Sequence, residues 1–193
     1  MLTESLLQGL DARRSVPSKQ LGEPGPDRAT LLRMLASAVR VPDHGKLVPF
    51  RFIHLHGDAR HALGDALAAR TRALDPGAPD AAVEKDRSRF SSAPDIVTVV
   101  ARLTPDHKVP EQEQLLTAGS VCFALLQAAQ AFGFGAQWLT GWMAYDAHVA
   151  QRLGLVQDER IVGFIHIGTP RLLAPERERP DPAALLTVWN PDA

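Results

Sequence analysis

The chain has 193 residues, 45% of them hydrophobic, with 21 Lys and Arg against 22 Asp and Glu. That length suits one α/β or α+β domain with an ordinary core, and a net charge of −1 gives no electrostatic reason to expect nucleic acid or an anionic membrane as partner. A single cysteine, Cys122, excludes an internal disulfide framework and a multi-cysteine metal centre.

The first 15 residues show no basic stretch followed by an apolar run, so no signal peptide is expected and a soluble cytoplasmic protein is the default. Residues 3–12 read as a short amphipathic helix, with Thr3 as cap and Leu6, Leu7 and Leu10 at helical spacing. Arg13-Arg14-Ser15 follows directly. Residues 16–26 hold three prolines and two glycines and read as an extended connection. Asp27 can cap a second helix through Val39, which Pro42 stops. A polar loop, RVPDHGKLVP, runs from Arg40 to Pro49. Phe50–His56 alternates as a strand does, and Asp58–Leu74 is a third helix rich in Ala, Arg and Leu. Residues 81–90 form a short charged surface helix. The β-branched run 95–101 (DIVTVVA) suits a strand buried on both faces.

Residues 112–132 predict one long helix of about 30 Å, the hub of the fold. Its apolar and small residues cover nearly every side, which predicts burial all round. Cys122 sits mid-helix as packing. The helix ends at Gly133 and Gly135 and leads into a strand-like AQWLTG. A short helix at 146–153, a strand at 160–168, a Pro-rich arm at 169–182 and an apolar β-prone piece at 185–189 complete the chain. Three or four strands among five or six helices, without regular βαβ alternation, make an α+β sandwich. The sequence contains no dinucleotide fingerprint, Walker loop, HExxH or GxSxG.

Three stretches carry chemistry beyond a structural need. Arg13-Arg14-Ser15 offers two guanidinium groups and a hydroxyl that can bind phosphate, or simply close a helix. Residues 40–46 pack Arg40, Asp43, His44 and Lys46 into one loop, with too few ligands for a metal and no nucleophile to complete a hydrolytic Asp–His pair. Gln137-Trp138-Leu139-Thr140-Gly141 reads either as a core strand or as a strand end presenting backbone donors. His107-Lys108-Val109-Pro110 reads as a loop into the hub helix, structural or forming a substrate rim. His54, His56 and His166 lie in strand patterns, as satisfied or exposed side chains.

In this order and separation the stretches resemble the nitroreductase family of FMN-dependent NAD(P)H oxidoreductases, most of all its compact bacterial branch. The resemblance rests on RRS at 13–15, RVPDHGK at 40–46 before PF and a strand, SAPDIVTVVA at 92–101, HKVP leading into the long helix, GFGAQWLTG at 133–141 and IVGFIHIGTP at 161–170. It implies a nitroreductase-like sandwich, a central, mostly antiparallel sheet flanked by helices with a long buried central helix. It also implies one FMN-binding domain over residues 1–193, and a homodimer whose C-terminal arm is exchanged between subunits. Arg13, Arg14 and Ser15 become ligands to the FMN phosphate, ribityl chain or ring edge. Arg40 and His44 match positions that reach the FMN bound mainly to the other subunit. Trp138, Leu139 and Thr140 match the segment beside the isoalloxazine, and residues 128–133 a segment for nicotinamide contact.

The chain departs from the family pattern at Leu139, where a polar or basic residue can occur, and at HGKLVPF, which replaces a Ser-rich loop ending in Asn-x-Gln-Pro-Trp. Arg171 is a candidate for the phosphate. The implied mechanism is ping-pong. Hydride from NADH or NADPH reaches flavin N5, then passes to a nitroaromatic, quinone or similar electron-poor small molecule. No protein catalytic residue and no metal is required. The alternative is a non-catalytic flavin-binding storage or sensor protein on the same fold.

Overall fold

A computed structural model describes residues 2–191; the cap assigned to Thr3 falls on a side chain outside that description. The sheet is built on its longest strand. Residues Glu159–Pro170 form β5, whose Ile161, Phe164, Ile165 and Ile167 are buried. One edge of β5 takes β3 (Asp95–Arg102), antiparallel, from Asp95 opposite Ile167 to Arg102 opposite Glu159. The other edge takes β4 (Gly135–Leu139) and then the two-residue β1 (Leu21–Gly22). β2 (Phe50–His56) adds to β3 at the outer edge, so the order is β1-β5-β3-β2 with β4 also on β5, and all described pairings are antiparallel. The run in β3 is buried from Asp95 to Ala101, as a β-branched strand between two layers requires.

Helices cover both faces. α2 (Arg28–Ala38) and α5 (Glu111–Ala131) pack on one, where Leu31, Met34, Val121, Cys122 and Leu125 meet Val97, Val99, Ile165 and Ile167. On the other face α3 (Asp58–Leu74), α4 (Asp80–Arg87) with the 3-10 turn after it, and α6 (Ala147–Arg152) surround Phe90, Leu67, Met143 and Phe164. Each fully buried Leu, Ile or Phe contributes about 1.5–3 kcal/mol. Asp27 caps α2 by accepting from the Thr30 backbone N–H at 2.7 Å, and Asp146 caps α6 through the Val149 N–H at 3.0 Å. The buried Gln114 fixes the loop before α5. Its amide donates to Thr104 O (3.1 Å) and Val109 O (3.0 Å), and its carbonyl accepts from Thr104 N (2.8 Å).

The hub helix is 21 residues long as read, with Ala118, Val121, Cys122 and Leu125 among its buried residues. Leu116 (62% exposed), Ser120 and Phe123 (47%) form a stripe that one chain leaves open, because a helix laid on a sheet and flanked by α2 keeps one side outward. Two expectations need correction. Residues 185–189 are not a strand. α7 (Pro182–Leu185) is one helical turn, and the following residues stay extended and exposed. The run pairs with none of the described strands. Second, the connection at 16–26 is not simply extended, since it holds the 3-10 turn Ser18–Gln20 and β1.

Candidate functional site

The end of α1 (Leu2–Asp11) delivers Arg13-Arg14-Ser15 to the edge of β4. Val16 N donates to Ala136 O at 3.0 Å, and Ser18 N donates to Gln137 Oε1 at 2.6 Å. Two motifs 120 residues apart in sequence thus lie side by side. Arg13 Nη1 reaches Ser15 Oγ at 3.3 Å. Arg14 donates to Asp11 O and to Arg13 O and pairs with Glu176 from the C-terminal arm. Glu176 also accepts from Arg179, through Nε at 3.1 Å and Nη2 at 2.9 Å.

The electrostatics of this corner are lopsided. Burial first, then the charges of Arg179, Arg177 and Arg14, push the Arg13 guanidinium below its ordinary pKa. Among the described residues Arg13 has no carboxylate partner, and Glu176 is the carboxylate shared by Arg14 and Arg179. Four arginines around one glutamate leave an excess of positive charge beside a serine hydroxyl. A cleft of about 170 Å³ opens next to it, between Arg14, Gln130, Phe134 and Leu172. Such a donor set matches a phosphate monoester.

Trp138 and Leu139 leave β4 on opposite faces, as successive strand residues must. The Trp138 Nε1–H donates to Val162 O at 3.2 Å. That carbonyl is accessible because Val162 is the extra residue of a bulge: Val99 pairs with Gly163 and Val100 with Ile161. Gly163 is required beneath the indole, since a Cβ there would lie 2.0 Å from Nε1. Trp138 lines a cleft of about 610 Å³ with Leu115, Leu116 and Gly119 of α5 and Tyr145. Leu139 instead lines a small cavity of about 110 Å³ with Ser18, Lys19, Arg89 and His166. Thr140 is half-buried ahead of Gly141, whose φ of 84° turns the chain into the next 3-10 turn.

Arg40 and His44 are exposed and lie elsewhere. Their loop is held in a strained shape: Lys46 (φ 55°) and the β-branched Val48 (φ 49°) are left-handed. The Asp43 carboxylate maintains it by accepting from Leu47 N (3.2 Å) and Val48 N (2.8 Å). His44 Nδ1 meets Glu113 at 2.7 Å, and Thr117 Oγ1 donates to Pro42 O at 3.1 Å, which ties the loop to the start of α5. Gln130 at the other end of α5 donates to Gly9 O, close to the arginine cluster. The 17 residue-to-residue steps from Glu113 to Gln130 span about 25 Å. One chain therefore brings Arg13, Arg14 and Ser15 to the start of β4 near Gln130 and keeps Arg40 and His44 apart from the cluster, while the Trp138 side chain faces Leu115, Leu116 and Gly119 near the other end of α5.

Other expected residues fare differently. In 128–133, Ala128 and Ala129 are buried and only Ala131, Phe132 and Gly133 are exposed. Arg171 packs over Gly22 and is held by Arg171 N to Gln20 O at 2.8 Å, so it belongs to the β1 edge. The sequence pattern does not mark Arg177 and Arg179 beyond the Glu-Arg-Glu-Arg run at 176–179. His166 is neither satisfied nor exposed. It is fully buried, stacked on Phe90 at 5.5 Å, and both ring nitrogens lack a described partner. Burial, and then Arg60, hold its imidazole down to about 4. Burial pushes the Cys122 thiol up to about 12, so it stays a protonated packing group.

The model of the Nitroreductase family matches residues 10–169 of this chain. The chain belongs to the nitroreductase family. That membership makes it an oxidoreductase. The Escherichia coli K12 protein YdjA, whose name assigns it to the NAD(P)H nitroreductases, is 36% identical over 184 residues, 95% of this chain and 98% of that one. A nitroreductase-like family protein from Bacillus cereus superposes with a TM-score of 0.80 at 22% identity, covering 95% of both chains. A protein from Desulfovibrio desulfuricans described as a nitroreductase in complex with FMN gives 0.72 at 23% identity, over 96% of this chain and 97% of that one. These solved structures bear out the α+β nitroreductase-like fold.

Proposed function

We propose that the protein is a cytoplasmic, homodimeric, FMN-dependent NAD(P)H oxidoreductase that reduces nitroaromatic, quinone or similar electron-poor compounds, with the whole chain forming one FMN-binding domain. The observation that carries this reading is the cluster of Arg13, Arg14, Arg177 and Arg179 around the shared Glu176, laid beside β4, the strand that leads to Trp138. In this reading Arg13, Ser15, Arg177 and Arg179 hold the FMN phosphate. Trp138, Leu139 and Thr140 supply the strand end that orients the ring. FMN, when bound, supplies the hydride-accepting and hydride-donating chemistry. The chain itself binds, orients and offers positive charge, which favours an anionic reduced ring. YdjA's name and the FMN held by the Desulfovibrio protein support the choice of cofactors.

The test is direct. The purified protein should be yellow, and NADH or NADPH should bleach it; adding nitrofurazone should restore the colour with turnover. A flavin-containing protein that neither nicotinamide reduces would point to the storage or sensor alternative. A colourless protein that does not take up FMN would sink both.

A second copy is part of the proposal. The open stripe of α5, with Leu116 and Phe123, and the exposed Leu185, Leu186, Val188 and Trp189 of the arm together exceed what single surface residues usually present. Pairing would cover them and bring Arg40 and His44 to the flavin of the partner. The segment after Arg179 is then the part exchanged, while Glu176, Arg177 and Arg179 stay with their own cluster. Among the described residues no helix is long and apolar enough to cross a membrane. Sedimentation at micromolar concentration should give a dimer. A stable monomer carrying a full complement of flavin would overturn the two-subunit site.

A further inference from the structure

At the outer edge of the sheet, away from this site, three ligand-type side chains converge. His54 and His56 are two apart on β2 and so share a face. Asp95 opens β3 directly opposite His56 in the register. The two rings stack with centroids 5.6 Å apart. His54 Nε2 lies 2.8 Å from Asp95 Oδ1, and His56 Nδ1 lies 3.6 Å from the same oxygen. One ligand atom from each of the three residues falls within 4.8 Å of the others. We propose that His54, His56 and Asp95 form a binding site for a divalent transition-metal ion of the zinc class.

The geometry fits such an ion. Tetrahedral coordination at about 2.0–2.1 Å puts neighbouring ligand atoms about 3.3 Å apart. The two edges at Asp95 Oδ1, 2.8 and 3.6 Å, fall on either side of that value. The longer one is too long for a hydrogen bond, so His56 is aimed at the carboxylate without being bonded to it.

Charge argues the same way. The Asp95 side chain is only 5% exposed, and among the described residues no lysine or arginine pairs with it. A buried carboxylate calls for a countercharge. The chain also restricts which oxygen is offered. Gly25 closes over Oδ2, where a Cβ would come within 1.9 Å, and leaves Oδ1 facing the imidazoles. His56, 73% exposed, marks the outward side, where water can complete the coordination as at open zinc sites.

The position indicates what the ion does. β2 lies three strands from β4 in the sheet, about 14 Å, too far to touch a flavin beside Trp138. The ion would clamp the edge strand to β3 at the point where the chain leaves for α3. It is a structural clamp, and its binding is read from stability as well as from uptake.

Equilibrium dialysis of the flavin-loaded protein against Zn²⁺ alone should show saturable uptake of one ion per chain. Zinc in excess over the dissociation constant should raise the unfolding midpoint by roughly 5 °C. His56→Ala removes an exposed side chain and should keep the fold by circular dichroism, yet weaken zinc binding by at least roughly tenfold and abolish the rise. His148→Ala, at an exposed histidine of α6, should leave both unchanged. Uptake that persists in a His54→Ala/His56→Ala double variant, or no saturable uptake by the unaltered protein, would overturn the site.

Discussion

Arg13→Ala is expected to weaken FMN retention by roughly 10- to 100-fold, the loss of one or two charge-assisted hydrogen bonds to a phosphate or ring edge. Its effect on the flavin-free fold should be small or slightly favourable. Burial and the neighbouring Arg14, Arg177 and Arg179 already disfavour the Arg13 charge, so removing it relieves repulsion in the folded protein. Retained flavin after gel filtration and the urea midpoint of the apoprotein give the two readouts. Arg179→Ala should move flavin retention in the same direction, whereas Arg171→Ala, on a side chain that packs over Gly22, should leave it unchanged. Raised salt should reproduce part of the Arg13→Ala defect, because the cluster is only partly buried. Unchanged flavin content in Arg13→Ala would refute the phosphate role.

Acid should destabilise the fold through His166. Its imidazole is held at about 4 in the folded chain, against about 6.5 in an unfolded one. Below pH 6.5 the unfolded chain takes up a proton that the folded chain refuses until about pH 4, so stability falls as the pH drops through that window. Above pH 6.5 the group has no such effect. The expected loss is about 2 kcal/mol at pH 5 relative to pH 7, approaching about 3 kcal/mol near pH 4. Arg60, from α3, adds its charge to the effect of burial. Lys19, Lys85 and Arg89 line the cavity beside the ring, Arg89 paired with Asp86, and no carboxylate is among the described lining residues. Asp86, Asp146 and Glu159 have depressed pKa values and weaken the fold at lower pH, below their ordinary carboxylate range. Urea midpoints of the unaltered protein and of His166→Phe, measured at one protein concentration across pH 5 to 7, separate the contributions. An equal loss in both proteins would remove His166 as the cause.

His166 also shows where sequence pattern stops being informative. In IVGFIHIG a histidine between isoleucines reads like any strand position. Which face it takes follows from pairing with Ile96 and Gln137, and its burial follows from Phe90 arriving across the sheet. Arg40 and His44 make the same point from the other direction. Their loop was legible as a special one from its proline, glycine and charges, but its tether to Glu113, about 25 Å along α5 from Gln130 beside the arginine cluster, was not. The length of the hub helix follows from its composition and its glycine exit. Its apolar composition could not reveal that one stripe stays open, because an all-round apolar helix looks the same whether its last side meets its own chain or another.

By itself the sequence determined what depends on near neighbours. Asp27 capping α2, the β-branched run of β3, the helix Asp58–Leu74 and the glycine exit of α5 each follow from hydrogen bonds and periodicity within a few residues. Collinear motifs were also enough to name the family, since their order survives without any knowledge of contacts. Only the tertiary structure decided which distant side chains meet. The return of the arm carries Arg177 and Arg179 to Arg13, and the antiparallel register sets Asp95 against His54 and His56. These encounters rest on pairings that span tens of residues. An arginine or a histidine carries the same charge and the same donors wherever the register happens to place it.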